Sequence, residues 1–188
     1  MRIISGKYRG RKLKSPPSLK TRPTSDRLRE TLFNILSPRI QGARFLDLCA
    51  GSGSVGIEAL SRGAAHVTFV DRSRKMYALI ETNLETLQVS DDEVEVVSKE
   101  ALEFLGRRVK KQAELFDIVF FDPPYATDYE AVLDHFGEHA SGLLAKDGLV
   151  VVEHHRKKDL PGEFGGWRRY RVLKQGDSSL SFFKQTAA

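Results

Sequence analysis

Apolar positions divide the chain into two unlike parts. From residue 45 onward, short apolar runs alternate with stretches of helical period. Residues 45–49, 67–71, 94–98 and 116–121 predict strands, and residues 55–62, 75–87 and 101–110 predict helices between them, the first ended by Gly63. In the second of these helices Ala78, Leu79, Leu84 and Leu87 form the apolar stripe. Residues 129–144 predict a fourth helix, and residues 149–153, after Gly148, a fifth strand. Residues 168–174 and 180–184 predict a closing hairpin. Central strands that are apolar throughout belong in a sheet covered by helices on both faces. Strands and helices in regular alternation predict a doubly wound, mostly parallel α/β sheet.

Before residue 45 the pattern is different. Residues 2–4 and 11–13 predict two short strands of a small hairpin around Gly6-Lys7-Tyr8-Arg9-Gly10, and residues 15–23 a loop rich in Pro and Ser. Ser25 is an N-cap candidate with Asp26 in the first turn, and Leu28, Leu32, Ile35 and Leu36 then recur at helical spacing until Pro38, which is expected to end the helix. The change near residue 44 predicts an extension, 1–44, attached to a domain, 45–188.

Charge sharpens this division. The chain has 188 residues and a net charge of +5. Residues 1–44 carry 12 Lys/Arg against 2 Asp/Glu, and the remainder 18 against 23. A basic arm on a mildly acidic body predicts a polyanionic partner for the arm. Hydrophobic content of 40% and charged content of 29% are ordinary for a globular chain, and no apolar run reaches membrane-spanning length. Met1 leads directly into Arg2-Ile3-Ile4-Ser5-Gly6, without the apolar core of a signal peptide. The lone Cys49 excludes an intramolecular disulfide and a cysteine zinc cluster, so a cytoplasmic protein is expected. His135, His139, His154 and His155 include an i,i+4 pair and an adjacent pair but lack an acidic partner pattern, so they are read as surface residues and no metal is expected.

Two segments carry the candidate chemistry. The first is Asp47-Leu48-Cys49-Ala50-Gly51-Ser52-Gly53, continuing through Ser54-Val55 to Gly56, placed between the first strand and a helix. In a doubly wound sheet, ligands sit beyond the carboxyl ends of the strands, where this glycine turn falls. The turn alone fits a dinucleotide as well. Asp47 discriminates, because a fixed carboxylate there would repel a pyrophosphate and attract a cationic amino-acid end. A capping role for Asp47 is the alternative. Asp71, ending the second strand, can accept both ribose hydroxyls, and Glu100, before Ala101, can accept from an adenine amino group. The second segment is Asp122-Pro123-Pro124-Tyr125, after the fourth strand and so on the same sheet edge. An exocyclic amine on a base is a poor nucleophile, because its lone pair is delocalised into the ring. The Asp122 side chain and the Pro123 carbonyl supply two acceptors for its N–H bonds, paired prolines stiffen the loop, and Tyr125 offers a face for stacking a base. A carboxylate only accepts, which leans toward guanine N2, beside N1–H, while leaving adenine N6 and cytosine N4 open.

These segments resemble the RsmD-type 16S rRNA (guanine-N2) methyltransferases. The more specific likeness lies in Met1-Arg2-Ile3-Ile4-Ser5-Gly6, Gly10-Arg11-Lys12-Leu13, Thr21-Arg22-Pro23-Thr24-Ser25-Asp26-Arg27 and Arg29-Glu30-Thr31-Leu32-Phe33, joined by Glu58-Ala59-Leu60-Ser61-Arg62-Gly63 and Asp71-Arg72. The resemblance implies a Rossmann-like fold whose last strand pairs antiparallel. It implies S-adenosylmethionine as cofactor and S-adenosylhomocysteine as product, held by Asp47, Cys49, Ala50, Gly51, Gly53, Asp71, Arg72, Glu100 and Ala101. The family often has Asp or Asn where Glu100 stands. Asp122, Pro123, Pro124 and Tyr125 would hold a guanine of the guanine-966 type. The partner implied is 16S rRNA in an assembling small subunit, with Arg9, Arg11, Lys12, Lys14, Arg22, Arg27 and Arg29 as contacts.

Other functions fit less of the sequence. A DNA-base methyltransferase usually needs a target-recognition domain, for which 188 residues leave little room. A protein-glutamine methyltransferase would favour Asn at position 122. A dinucleotide oxidoreductase shares the glycine turn but not Asp47 or the tetrapeptide, and a non-catalytic RNA-binding module would not need the tetrapeptide.

Overall fold

A computed structural model describes residues 1–16, 24–124 and 128–186. Helix α1 (Asp26–Ile40) precedes strand β1 (Arg44–Leu48), α2 (Ser54–Ser61), β2 (His66–Asp71), α3 (Arg74–Leu87), β3 (Val94–Ser98), α4 (Ala101–Lys111) and β4 (Phe116–Phe121). Then come α5 (Tyr129–Glu138), α6 (Ala140–Leu143), β5 (Leu144–His155), β6 (Glu163–Phe164), β7 (Trp167–Gln175) and β8 (Ser178–Gln185). One sheet holds these strands in the order β3-β2-β1-β4-β5-β8-β7-β6. The first five positions pair in parallel, and β8 lies antiparallel between β5 and β7. The chain winds outward from β1 in one direction and from β4 in the other. The β1/β4 boundary is therefore the switch point at which a ligand crevice forms.

Alternate residues of the central strands feed opposite faces. Phe45, Phe69, Phe120 and Val151 join one hydrophobic cluster with residues of α1, α2 and α3. Leu46, Val70, Phe121 and Val152 join another with residues of α4, α5 and α6. The sheet is thus sandwiched between two helical layers, as its unbroken apolar strands predicted.

Three local expectations differ from the structure. Pro38 does not end α1, which continues to Ile40. Proline lacks the N–H that would bond the Asn34 carbonyl, but Ser37 Oγ donates to that carbonyl at 3.0 Å. The helix expected over 129–144 breaks at His139 into α5 and α6. Gly137 there lies so close to Gly165 that a Cβ would come within 2.7 Å of the Gly165 Cα. The fifth strand starts at Leu144, which pairs with Phe116 before an irregularity restores register at Leu149 opposite Ile118. β6, of only two residues, has no period to read.

The core does not stop at residue 44. Ile3, Tyr8, Leu13, Leu28, Leu32, Phe33, Leu36 and Ile40 share the cluster that contains Phe45 and Phe69. The amino-terminal segment, closed by an Arg2–Lys12 bridge, lies against α2. Glu58 carboxylate oxygens accept the Ile4 and Ser5 N–H groups at 2.8 and 3.0 Å, and Ser61 Oγ accepts the Tyr8 N–H at 3.0 Å. Gly6 has φ +83°, and a Cβ there would come within 1.7 Å of the Ser61 carbonyl, so only glycine permits this approach.

Candidate active site at the carboxyl edge of the sheet

The turn after β1 is built from left-handed residues. Cys49, Gly51 and Gly53 have φ of +68°, +54° and +76°. Gly56, the third glycine of the pattern, serves packing. A Cβ there would lie 2.3 Å from Phe69 Cε1, so its absence lets α2 settle onto β2. Asp47 is buried, and its Oδ2 accepts the Gly56 N–H at 2.8 Å, so the capping bond weighed from the sequence is made. Burial pushes the Asp47 carboxyl up to about 8; the Gly56 bond opposes the shift and Asp71 adds to it. Asp71 braces the turn from β2, accepting Gly51 N–H at 2.9 Å on Oδ2 and Ser73 N–H at 2.8 Å on Oδ1.

The four carboxylates of the sheet edge share one face. Asp47, Asp71, Asp122 and Glu153 each stand two residues beyond a residue of the α1–α3 cluster, namely Phe45, Phe69, Phe120 and Val151. The strand pleat puts residues two apart on the same side. Asp122 follows β4, yet its N–H still bonds the Leu48 carbonyl at 3.2 Å, which keeps it in the β1–β4 ladder. Its carboxyl is pushed well above the usual range by burial first, then by Glu153 and Asp47. The Cys49 thiol is pushed up by burial and then by Asp71, Asp122, Asp47 and Glu100, so it stays an unreactive thiol. Where its acids are ionised, such an edge suits a cation and opposes a pyrophosphate.

Glu153 was missed as a site residue. It is buried, lies beside Asp122 and accepts a 2.8 Å hydrogen bond from Thr24 Oγ1. The available signal was an acid closing an otherwise apolar strand. Pro123 is buried, and Tyr129 Oη donates to its carbonyl at 3.5 Å, which leaves the second lone pair for another donor. Pro124 is exposed. Tyr125 and Arg22 lie outside the described residues. Glu100 precedes α4 without capping it and pairs with Arg72 at 3.4 Å, both side chains being exposed; Ala50 and Ala101 are half-buried beside these turns.

Of the cations expected to meet RNA, Arg9, Arg11, Lys12, Lys14 and Arg27 are exposed. Arg11 Nη2 donates to the Thr86 carbonyl at 2.9 Å. The Lys14 backbone is held by Asn83, whose Nδ2 also donates to the Ser52 carbonyl at 3.3 Å, so one side chain ties the basic segment to the glycine turn. Arg29 is a correction. It is wholly buried, donates to Asp26 at 3.0 Å and to the Arg2 carbonyl at 2.6 Å, and faces Glu58 at 3.6 Å, so no phosphate can reach it. Its i+3, i+4 and i+7 neighbours Leu32, Phe33 and Leu36 are buried, which identifies its helix face as the inner one. Among the described residues no group of three or more His, Cys, Asp or Glu could hold a metal, and no helix is long and apolar enough to cross a membrane.

A glycine turn after β1, an acid ending β2 and an Asp-Pro-Pro segment after β4, all on one sheet with an antiparallel β8, define a Rossmann-like methyltransferase fold. Residues 1–184 match the family described as Conserved hypothetical protein 95, and the chain belongs to that family, the one to which RsmD-type enzymes are assigned. The Ribosomal RNA small subunit methyltransferase D of Escherichia coli strain K12 is 37% identical, over 100% of this chain and 91% of its own length. Its Haemophilus influenzae namesake is 41% identical, over 85% of this chain and 81% of its own length. The solved structure of Escherichia coli yhhF superimposes with a TM-score of 0.86 at 35% identity, covering 100% of this chain and 99% of that one.

Proposed function

We propose that this protein is a cytoplasmic S-adenosylmethionine-dependent methyltransferase of small-subunit ribosomal RNA, acting on the exocyclic N2 amine of a guanine of the guanine-966 type. The observation that carries the reading is the row of Asp47, Asp71, Asp122 and Glu153 on one face at the β1/β4 switch point. The relatives named for ribosomal RNA methylation support the substrate class.

The residues present fit the cofactor. Asp47 and the turn from Cys49 to Gly53 would hold its cationic amino-acid end, Asp71 its ribose hydroxyls, and Arg72, Glu100 and Ala101 would border the adenine. S-adenosylmethionine supplies an electrophilic methyl group and leaves as S-adenosylhomocysteine. The protein's part is to present the amine. Asp122 and the Pro123 carbonyl accept its two N–H bonds and turn the nitrogen lone pair toward the incoming methyl, and Tyr125 stacks on the base. Charge developing on the nitrogen is stabilised by Asp122 in a poorly solvated corner. Arg9, Arg11, Lys12, Lys14, Arg22 and Arg27 of the 1–44 extension would contact phosphates and contribute affinity without reading sequence.

The test is to incubate purified protein, labelled S-adenosylmethionine and unmethylated small-subunit particles, then map the labelled nucleoside. N2-methylguanosine is expected. Label in N6-methyladenosine, in N4-methylcytidine or only on protein would overturn the reading.

Cofactor affinity should also depend on pH. Asp47, with its carboxyl pushed up to about 8, is neutral below that pH and anionic above it, and only the anion attracts a cation. The dissociation constant should tighten about tenfold between pH 6 and pH 7 by calorimetric titration, a window in which the ionised fraction of Asp47 rises about tenfold while the cofactor's own α-amino group stays protonated. Asp47→Asn should bind weakly with a flat profile. A flat profile in the wild-type protein would show that Asp47 acts as a cap and does not bind the cation.

A further inference from the structure

A cavity lies where β5 meets the antiparallel β7 and β8, its residues His154 and Ser179 on the face of the sheet opposite Glu153 and Leu180. It measures about 340 Å³ and is lined by Arg156, Lys157, Lys158, Arg169 and Lys174, with Asp159 as its one carboxylate, and by Ser179. Asp159 is 96% exposed at its side chain, so water screens its 3.7 Å approach to Arg169. His154, also in the wall, is buried and not the surface residue expected from the sequence, and burial pushes it toward its neutral form. The floor is unusual. Ser179 is wholly buried, yet its hydroxyl has no hydrogen-bond partner in the protein. An unsatisfied buried hydroxyl is uncommon, and this one belongs to a residue that lines a cavity walled by cations.

That arrangement suits a phosphate: cations supply the charge and the buried hydroxyl one directed donor. The cavity is also close to the catalytic loop. His154, in the cavity wall, is the chain neighbour of Glu153 on β5, its side chain on the other face of the strand from the acid beside Asp122. Lys158 Nζ lies 4.5 Å from the centroid of the Tyr129 ring, whose hydroxyl donates to the Pro123 carbonyl. We infer that this cavity binds a backbone phosphate of the RNA strand whose target base is held at Asp122, so that cations of the turn after β5 and of β7 grip the substrate from the side opposite the amino-terminal arm. The inference rests on the reading of RNA as substrate and adds a contact surface in the carboxyl-terminal hairpin.

The test uses Lys157→Gln/Lys174→Gln and, separately, Ser179→Ala, with three probes: a short single-stranded RNA, unmethylated small-subunit particles and inorganic phosphate. At about 0.1 M salt the double variant should bind RNA about tenfold more weakly, with its log–log salt slope flattened by about 1. Ser179→Ala should also lose about tenfold, from one hydrogen bond to a charged group, with an unchanged melting temperature. Cofactor affinity should not move in either. RNA affinity and slope equal to wild type in both variants would overturn the inference. So would binding of inorganic phosphate that Ser179→Ala abolishes while RNA affinity stays unchanged, since the cavity would then take free phosphate. If wild-type protein methylates the particles and the variants keep its KM, only this site fails. If wild-type protein leaves the particles unmethylated while the variants still lose RNA affinity, the substrate reading fails and the site stands.

Discussion

Asp122→Ala is expected to lower kcat about a thousandfold and to leave cofactor binding intact. The side chain supplies one of two acceptors for the amine and is the acid placed beside the positive charge that develops on its nitrogen. Its loss leaves the Pro123 carbonyl, which Tyr129 already engages, as the sole positioning acceptor. The glycine turn does not depend on it, because Gly51 and Gly56 N–H groups bond Asp71 and Asp47. The substitution should not unfold the protein either. Asp122 sits in a corner where burial, Glu153 and Asp47 all oppose its ionisation, so removing it relieves like-charge repulsion and Tm should stay equal or rise. Single-turnover kinetics with saturating cofactor, alongside calorimetric cofactor titration, separate the two effects. Loss of cofactor binding by a folded Asp122→Ala protein would mean that Asp122 belongs to the cofactor site.

The parts legible in the sequence were those encoded by local period. β3 and β4 fall at the expected residues, because each is a short apolar run bounded by turn residues or by a helical stretch. Asp47 and Asp71 could be placed because a strand end and a glycine turn lie within a few residues of each. What escaped depends on contacts distant in the chain. Glu153 meets Thr24 across 129 residues, and Glu58 meets Ile4 across 54. Arg29 sat in a basic segment and was read by composition as a phosphate contact, whereas its place among Leu28, Leu32, Phe33 and Leu36 put it on the buried face. Pro38 failed as a stop signal for a local reason of a different kind: the neighbouring Ser37 hydroxyl satisfied the carbonyl that the proline could not.

The same misreading changes what the amino-terminal arm does. Its exposed cations remain candidates for RNA, but its backbone and the buried Arg29 converge on Glu58 at the back of α2, the helix whose amino end carries the glycine turn. Glu58 is wholly buried, receives the Ile4 and Ser5 N–H groups and Arg62 Nε at 2.8 Å, and forms an ion pair with Arg29 Nε at 3.6 Å. Glu58→Ala would strand two backbone donors and leave Arg29 buried with Asp26 as its one acidic partner among the described residues. Breaking a buried pair by removing one member costs about 3–5 kcal/mol, which for a chain of this size lowers Tm by about 10 °C. Urea unfolding and calorimetry should show that loss. Glu58→Gln, which keeps the shape and one acceptor, should fall between. Replacing both members, as Glu58→Leu with Arg29→Met, should recover much of the stability, because apolar residues of similar volume substitute well for buried ion pairs. A loss below about 1 kcal/mol for Glu58→Ala would place the interaction among exposed pairs and refute the view that this carboxylate joins the arm to the catalytic sheet.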